Sequence, residues 1–247
     1  MKLALVADLH ANREAVTAVM ADAHAQGADR FAFLGDYVGY GADPGWAVDL
    51  VREHVAAGAL AVLGNHDAAT VHGPSTSMVA EARAAIEWTR ARLDADQLAF
   101  LAALPLSQSA HGALFVHANA WAPGEWGYVE SRGEAVRSMH ATASRLTFCG
   151  HVHVPVLYHL SDTGKAGDFA PTPQTAVPLS EQRRWLAIAG SVGQPRDGNP
   201  AACYAIFDVV ARTLAFYRVP YDHEGAAAKV RAAGLPRGLA ERLIHGG

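Results

Sequence analysis

The sequence predicts a mixed α/β fold in which helices cross over between the strands of a sheet. Three observations support this prediction. In the first half of the chain, short apolar runs alternate with longer amphipathic segments. Helix-capping and helix-ending residues mark many of the transitions. Short polar clusters directly follow several of the apolar runs, which is typical of strands whose carboxyl ends carry a site.

The first strand is predicted over residues 3–7, and the helix that follows is expected to begin at the capping residue Asn12 and to end at Gly27. Pro44 is suited to the first turn of the next helix, which Gly58 ends. The same signals predict further strands at 31–34 and 60–63 and two successive helices at 75–92 and 94–103.

From Pro105 onward the pattern indicates hairpins and a more antiparallel arrangement. Strands are predicted at 106–110, 113–117, 146–149, 154–160, 185–189, 203–209 and 214–219, with helices at 132–142 and 226–245, the second broken near Gly234. The Gly-, Pro- and Thr-rich stretch 165–179 is expected to be a surface loop. Since no linker or repeat divides the chain, residues 1–247 are predicted to form a single domain.

Composition excludes several classes of protein. The 247 residues include 20 Lys and Arg against 24 Asp and Glu, a formal charge of −4, so binding to duplex nucleic acid through its phosphates is not expected. No apolar run approaches the roughly 20 residues that cross a membrane, and the apolar start is too short for a signal peptide. We expect a cytoplasmic protein in which Cys149 and Cys203 are buried free thiols.

Five polar clusters each follow the end of a predicted strand. They are Asp8-Leu9-His10, Gly35-Asp36, Gly64-Asn65-His66-Asp67, His117 and Gly150-His151-Val152-His153. Because the carboxyl ends of strands gather at one edge of an α/β sheet, clusters that are distant in sequence can converge there. The sequence therefore predicts one shared site at this edge.

The residue types indicate transition metals. Carboxylate oxygens mixed with imidazoles suit Mn, Fe, Zn, Ni or Co, whereas calcium or magnesium sites are nearly all oxygen and structural zinc sites are rich in cysteine. The side chains exceed what one ion needs, so two metals are implied. Asp36, alone between its neighbouring clusters, is the expected bridging carboxylate. Such a pair of ions suits phosphoester hydrolysis.

The motifs, in this order, resemble those of the calcineurin-like metallophosphoesterase superfamily, and the segment from Gly190 to Arg196 resembles a loop of its small bacterial and archaeal phosphodiesterase-like members. The resemblance implies a four-layer α/β/β/α sandwich with the metals at the strand ends. It also implies hydrolysis by a metal-bridging hydroxide, without a covalent enzyme intermediate. The Ala118-Asn119-Ala120 segment departs from the glycine-containing turn that is frequent in the family.

The same resemblance implies residue roles. One metal would be held by Asp8, His10, Asp36 and His153, and the other by Asp36, Asn65, His117 and His151. His66 would act as a general acid on the leaving group or stabilise the transition state, and Asp67 would pair with its imidazole to orient it.

Substrate contacts are predicted from residue chemistry. Arg196, Asn12 and Arg13 are candidates for binding a phosphate group, the alternative being a capping asparagine and two solvated arginines. Tyr40, Trp121 and Trp126 could stack on a base, or could simply pack at the rim of the site.

These observations favour a phosphodiesterase or a hydrolase of dinucleoside polyphosphates of the diadenosine tetraphosphate type, acting on a small phosphorylated or nucleotide substrate. A protein Ser/Thr phosphatase or another phosphomonoesterase is the alternative enzyme. A non-catalytic binding module on the same fold is a second alternative, although the ligand set is complete here. Apolar surface in the second half of the chain could pair subunits in a homo-oligomer.

Overall fold

A computed structural model describes residues 1–76 and 78–247 and arranges their strands in two six-stranded sheets. The strands are β1 (Lys2–Val6), β2 (Arg30–Phe33), β3 (Leu60–Ala61), β4 (Ser107–Ala110), β5 (Ala113–Val116), β6 (Leu146–Cys149), β7 (Val156–Ser161), β8 (Ala166–Phe169), β9 (Val177–Pro178), β10 (Arg183–Ile188), β11 (Ala202–Asp208) and β12 (Thr213–Val219). The helices are α1 (Arg13–Ala25), α2 (Pro44–Ala56), α3 (Asn65–His72), α4 (Ala80–Arg90), α5 (Ala95–Ala102), α6 (Arg132–His140), α7 (His223–Ala232) and α8 (Arg237–His245), with a 3₁₀ turn at Pro123–Glu125.

The first sheet joins the two ends of the chain. Its strand order is β3-β2-β1-β11-β12-β9, in which β1 runs parallel to β2 and antiparallel to β11. Leu5, for example, lies between Ala32 on one side and Ala205 on the other. The expected parallel arrangement of the first strands is therefore present. Strands from the end of the chain complete the same sheet, and β11 pairs with β1 in the antiparallel direction.

The second sheet contains parallel and antiparallel pairs, and with three antiparallel pairs of five it confirms that the second half of the chain is more antiparallel than the first. Its order is β4-β5-β6-β10-β7-β8, and its centre is parallel because β6 pairs with β5 and β10 in the same direction. Helix α6 lies between β5 and β6 in sequence, which provides the crossover that a parallel pair requires. Only the outer pairs β4-β5, β10-β7 and β7-β8 are antiparallel.

Alternation along the strands produces four layers. Leu3 and Leu5 of β1 pack into the core between the sheets, where the rings of Phe148 and Phe207 meet at 5.1 Å, whereas Ala4 and Val6 face the helices. Helices α1 and α2 cover the first sheet, and α6 covers the second. The predicted α/β/β/α sandwich is confirmed. Cys149 and Cys203 are buried free thiols, as expected.

Two local predictions differ from the structure. Helix α4 begins at Ala80 rather than at residue 75, and α3 forms a separate short helix before it; residue 77, within the predicted helix, lies outside the described residues. The stretch 165–179 contains the edge strands β8 and β9. These strands are short and largely exposed, so they lack the apolar alternation that predicts a strand. Across the described residues, no helix has the length and apolar character needed to span a membrane.

Candidate active site

The five polar clusters converge at the carboxyl ends of strands from both sheets. Asp8 and His10 follow β1, and Asp36 follows β2. The remaining side chains come from the start of α3 and from the ends of β5 and β6: they are Asn65, His66, His117, His151 and His153. The two sheets thus meet at one site, as the positions of the clusters after the strands predict.

The backbone at this site is held in an unfavourable conformation. Five of the candidate ligands have a positive φ between 46° and 67°: Asp8, His10, Asp36, His151 and His153. A non-glycine residue in this region costs on the order of 1 kcal/mol or more, and such residues cluster at functional sites. Two glycines permit the close approach of the loops, since a Cβ at Gly64 would overlap the backbone of Asp36 and one at Gly150 would overlap the Asp8 carboxylate.

The ligand atoms form two groups that share one carboxylate. The first donor group is Asp8, His10, Asp36 and His153, and the second contains Asp36, His117 and His151; within each, the ligand atoms lie within 4.8 Å of one another and are buried. Asn65 joins the second donor group, because its Oδ1 lies 3.0 Å from His117 Nε2. The two groups coincide with the two ligand sets that the motifs imply.

Backbone carbonyls determine which nitrogen of each histidine carries a proton. The Nδ1–H groups of His10, His117 and His153 donate to the carbonyls of Val38 (3.2 Å), Leu34 (2.7 Å) and Gln194 (2.6 Å). His151 uses the other nitrogen, and its Nε2–H donates to the Trp126 carbonyl at 2.9 Å. Since a carbonyl can only accept, the remaining nitrogen of each neutral ring is a lone pair available to a metal.

These lone pairs point at one another. His10 Nε2 lies 3.2 Å from His153 Nε2, and His117 Nε2 lies 3.1 Å from His151 Nδ1. The Asp36 carboxylate is 3.4 Å from His117 Nε2. Burial opposes protonation of His117, but the charge of Asp36 raises its pKa to about 9, so without a metal this ring carries a second proton that faces Asp36. A bound metal ion would replace that proton, and between His10 and His153, where two acceptors converge, a cation would satisfy both. The residues therefore fit metal ions that accept mixed nitrogen and oxygen ligands.

Asp67 does not pair with His66, which corrects the predicted role. Its carboxylate accepts hydrogen bonds from the backbone N–H groups of Asp36 (2.8 Å), Tyr37 (2.9 Å), Val38 (3.3 Å) and Gly64 (3.0 Å). Asp67 is the third residue of α3, and side chains at that position reach back toward the helix start. It therefore holds the loop of Asp36 against α3 instead of orienting an imidazole.

His66 lies beside the two donor groups. Its ring packs against His10 and Tyr40, with centroid distances of 5.0 Å and 4.4 Å, and its buried Nδ1 has no hydrogen-bond partner among the described residues. Burial lowers the pKa of His66 to about 4. The charge of Asp36 opposes this shift, and the nearby imidazoles add to it. The ring is therefore neutral near pH 7 and can donate its single N–H.

A cleft of about 610 Å³ opens over His66, Asn65 and His151. Its walls are formed by described residues of α3 and of the connection that follows it, and by the segment 124–128. Tyr128, which the sequence analysis missed, stacks on His151 with a centroid distance of 4.1 Å and an angle of 15°. Isolated aromatic residues in a loop carry no periodic signal that would have revealed it.

The three aromatic residues that were candidates for base stacking separate in the structure. Tyr40 and Trp126 line the cleft. Trp121 instead packs beside the second sheet, where the Arg137 guanidinium lies 4.6 Å from its ring centroid. The structure therefore leaves Trp121 with the packing role that was its alternative.

Arg196 reaches the site from the loop after β10. Its backbone N–H donates to the His153 carbonyl at 3.4 Å, and its guanidinium donates to Gln194 Oε1 at 3.3 Å and lies 5.9 Å from the Tyr40 ring centroid. Burial raises the pKa of Tyr40 and Tyr128, and the charge of Arg196 beside both hydroxyls partly offsets this effect. Arg196 thus places a cation beside Tyr40 and Tyr128.

Asn12 and Arg13 make contacts within the protein that match the alternatives to substrate binding. The Asn12 amide is buried and fully used by the protein: its oxygen caps α1 at Ala15 N (3.1 Å), and its nitrogen donates to the Gly193 carbonyl (2.8 Å) and to Tyr221 Oη (3.1 Å). The exposed Arg13 places its guanidinium 5.3 Å from the centroid of the Trp46 ring, on α2. A helix cap and surface stacking account for both residues.

Comparison with known proteins agrees with this geometry. Residues 1–212 match the model of the calcineurin-like phosphoesterase superfamily domain. A protein of unassigned function from Methanocaldococcus jannaschii is 34% identical over 249 residues, covering 99% of this chain and 98% of the relative. The crystal structure of a metallophosphoesterase from Sphaerobacter thermophilus is 35% identical and superposes with a TM-score of 0.87, covering 100% of this chain and 99% of that one.

A more distant structure, provisionally assigned as a diadenosine tetraphosphatase, shares the fold at 16% identity and a TM-score of 0.55, with 89% of this chain and 94% of that chain covered. The family model spans most of the chain, and both relatives above 30% identity cover nearly all of it. This chain therefore belongs to the calcineurin-like phosphoesterase superfamily and is a metal-dependent phosphoesterase.

Proposed function

We propose that this enzyme uses two transition-metal ions to hydrolyse a phosphoester or phosphoanhydride bond at a disubstituted phosphate. The substrate is a phosphodiester or a dinucleoside polyphosphate of nucleotide size. The observation that carries the proposal is the sharing of Asp36 between two buried donor groups, the second of which reaches the cleft through Asn65 and His151. A shared carboxylate is what holds two ions about 3.5–4 Å apart in two-metal hydrolases.

The first donor group would hold one ion and the second donor group, with Asn65, the other. When bound, the ions supply Lewis acidity toward the phosphoryl oxygens and lower the pKa of water to give a nucleophile. His66, in contact with the cleft and neutral near pH 7, can donate a hydrogen bond from its N–H to the oxygen of the leaving group or to a phosphoryl oxygen on which negative charge develops. Arg196 donates to a phosphoryl oxygen on the opposite side.

The charge of the cleft supports a disubstituted phosphorus. Among the described lining residues there is no lysine or arginine and the one carboxylate is Glu125, so Arg196, beside the lining residues Tyr40 and Tyr128, is the nearby guanidinium. A phosphomonoester carries about −1.5 to −2 charges at neutral pH and would favour additional cations. A diester carries less charge at phosphorus, and its second substituent can occupy the space between Tyr128 and Trp126. The fold shared with the provisionally assigned diadenosine tetraphosphatase brings dinucleoside polyphosphates into the same class.

A protein Ser/Thr phosphatase or another phosphomonoesterase remains the competing enzyme, and a binding module the competing non-enzyme. The complete set of buried ligands argues against the module, since neither donor group lacks a member. A cleft of about 610 Å³ bounded by two walls suits a small molecule. These features favour a small-molecule phosphoesterase.

The test combines metal analysis with a panel of substrates. We expect about two transition-metal ions per chain, and Mn²⁺-dependent cleavage of bis-p-nitrophenyl phosphate or diadenosine tetraphosphate. Turnover of p-nitrophenyl phosphate or a phosphoserine peptide alone would instead identify a monoesterase. A protein that binds no metal and turns over none of these substrates would support the binding module. The Asp36→Asn variant is the matched control, because it removes the shared carboxylate charge with little change in size.

A further inference from the structure

His151 is oriented differently from the other candidate histidine ligands. Its lone pair is on Nδ1, whereas His10, His117 and His153 present Nε2. Its N–H donates to the carbonyl of Trp126, in the segment between β5 and α6. The three other rings are held by carbonyls of Leu34, Val38 and Gln194, which lie in segments directly following β2 and β10.

The conformation of Trp126 directs its carbonyl toward His151. Trp126 follows the 3₁₀ turn Pro123–Glu125 and has a φ of 58°, in the left-handed region that a tryptophan rarely adopts. Its carbonyl accepts the His151 Nε2–H at 2.9 Å. Tyr128, two residues later, covers one face of the same imidazole. The segment 126–128 therefore fixes both the proton position and the plane of the His151 ring.

Asn119 holds this segment in place from within. Its side chain is fully buried, and both ends of its amide are used: Nδ2 donates to the Gly127 carbonyl at 2.7 Å, and Oδ1 accepts from the Ala122 N–H at 2.9 Å. These two bonds join the ends of the segment that contains the 3₁₀ turn and Trp126. Asn119 does not appear in either donor group.

We propose that Asn119 is a positioning residue for the metal of the second donor group, acting through the Trp126 carbonyl on His151. The proposal rests on the proposed two-metal function. Without the Asn119 amide, the loop loses both bonds that shape it, and His151 is free to rotate or to place a proton on Nδ1. The hydrogen bonds that hold His10 and His153 do not involve this loop, so the metal of the first donor group should be retained.

Loss of an outer partner of a ligating histidine typically lowers metal affinity 10–100-fold. We therefore expect Asn119→Ala to bind its first Mn²⁺ ion as the wild type does and its second about 10–100-fold more weakly. A residue that merely stabilised the fold would change both affinities alike or neither. The variant's kcat at saturating Mn²⁺ should approach the wild-type value, whereas the Mn²⁺ concentration giving half-maximal rate should rise.

The experiment is a calorimetric titration of the full-length, chelator-treated protein with Mn²⁺. Asn199→Ala is the matched control, because Asn199 makes a similar local bond to the Ala201 N–H at 3.0 Å in an exposed loop. Trp126→Gly keeps the backbone carbonyl and readily adopts a positive φ, so it should bind two ions like the wild type. Asn119→Asp, which keeps the acceptor for Ala122 but removes the donor to Gly127, should also lose affinity at the second ion.

The outcomes distinguish the two proposals. A wild type that binds fewer than two Mn²⁺ ions overturns the two-metal function itself. A wild type that binds two, together with Asn119 variants whose two affinities are unchanged or fall equally, overturns only the role of Asn119. If Asn119→Ala does not fold, Asn119→Asp and Trp126→Gly decide the question by the same titration: loss at the second ion in the first variant and retention in the other support the proposal.

Discussion

His10 Nε2 lies 3.2 Å from His153 Nε2, and each ring donates its other nitrogen's proton to a backbone carbonyl. Neither facing nitrogen of the neutral rings carries the proton that a hydrogen bond between them would need. Burial lowers the pKa of His10 well below its usual value, and the neighbouring His153 adds to this effect. The pair is therefore arranged to share a cation, and this arrangement makes stability dependent on metal.

Metal should stabilise the fold strongly. At a concentration 100-fold above the dissociation constant, a ligand that binds only the folded state adds about 2.7 kcal/mol, which for a chain of this size is a rise of roughly 5–10 °C in Tm. We expect such a rise when Mn²⁺ is added to chelator-treated protein in a thermal unfolding scan. Ca²⁺, which prefers oxygen ligands, should give a smaller rise. Equal Tm values with chelator and with Mn²⁺ would contradict the metal assignment.

His66→Ala should lose hydrolysis without losing metal. The ring lies in the cleft and in neither donor group, so removing it should lower kcat by about 10²–10⁴-fold while elemental analysis still finds the wild-type metal content. His140→Ala, an exposed change on α6, is the control. A variant that kept both its metals and its full rate would remove His66 from the mechanism.

Asp67→Asn should destabilise the protein by about 2–4 kcal/mol. The asparagine amide would present N–H donors to backbone N–H groups that now donate to a carboxylate, among them those of Asp36 and Tyr37. Urea unfolding measures the loss, and Asp162→Asn, in an exposed ion pair with Arg145, should change stability by less than about 1 kcal/mol. If Asp67 acted only through His66, the variant would lose activity at unchanged stability.

Arg196→Gln should raise KM about 10-fold or more with a smaller effect on kcat, because the proposed function assigns this guanidinium, beside Tyr40, to a phosphoryl oxygen of the substrate. Arg196→Lys should restore only part of the affinity, since it keeps the charge but loses the paired donors. Arg13→Gln is the matched control and should leave KM unchanged, given the stacking of Arg13 on Trp46. The reverse pattern would favour the sequence-based role of Arg13.

His54 should make stability depend on pH away from the metal site. Burial against Phe31 and Phe33 lowers its pKa, and the nearby His24 adds to the effect. Its folded-state pKa is thus below its unfolded value of about 6.5, so the unfolded chain binds more protons between these values. Stability is therefore present above pH 6.5 and is lost as pH falls through this window.

Accordingly, the free energy of unfolding of His54→Gln, measured in urea with chelator present, should fall less between pH 7 and pH 5 than that of the wild type. Comparison with the wild type in the same buffers removes the contribution of the other histidines. His140→Gln serves as the exposed control and should run parallel to the wild type. A His54→Gln curve that is also parallel to the wild type would show that this imidazole has no part in the pH dependence.

Much of the fold was predictable because burial of one face of a strand or helix makes apolar residues recur at regular intervals in the sequence. The apolar runs of β1 and β2 and the capped helix α1 were found within a residue or two of their bounds. Helix α3 was not, because its first turn carries Asn65, His66 and Asp67 and has no apolar face that would indicate a helix. The partners of β1 were only half predictable, since pairing with β11 joins segments two hundred residues apart.

The sequence by itself determined the chemistry of the site: which side chains follow the strands, and which donor atoms they carry. Only the tertiary structure decided which protein groups each of these side chains contacts. Asn12 and Asp67 are used by backbone groups, Arg13 by a tryptophan, and His151 by the carbonyl of Trp126. The reason is that a motif records residue type and spacing along one strand end, whereas hydrogen-bond partners come from segments distant in sequence, which only packing brings together.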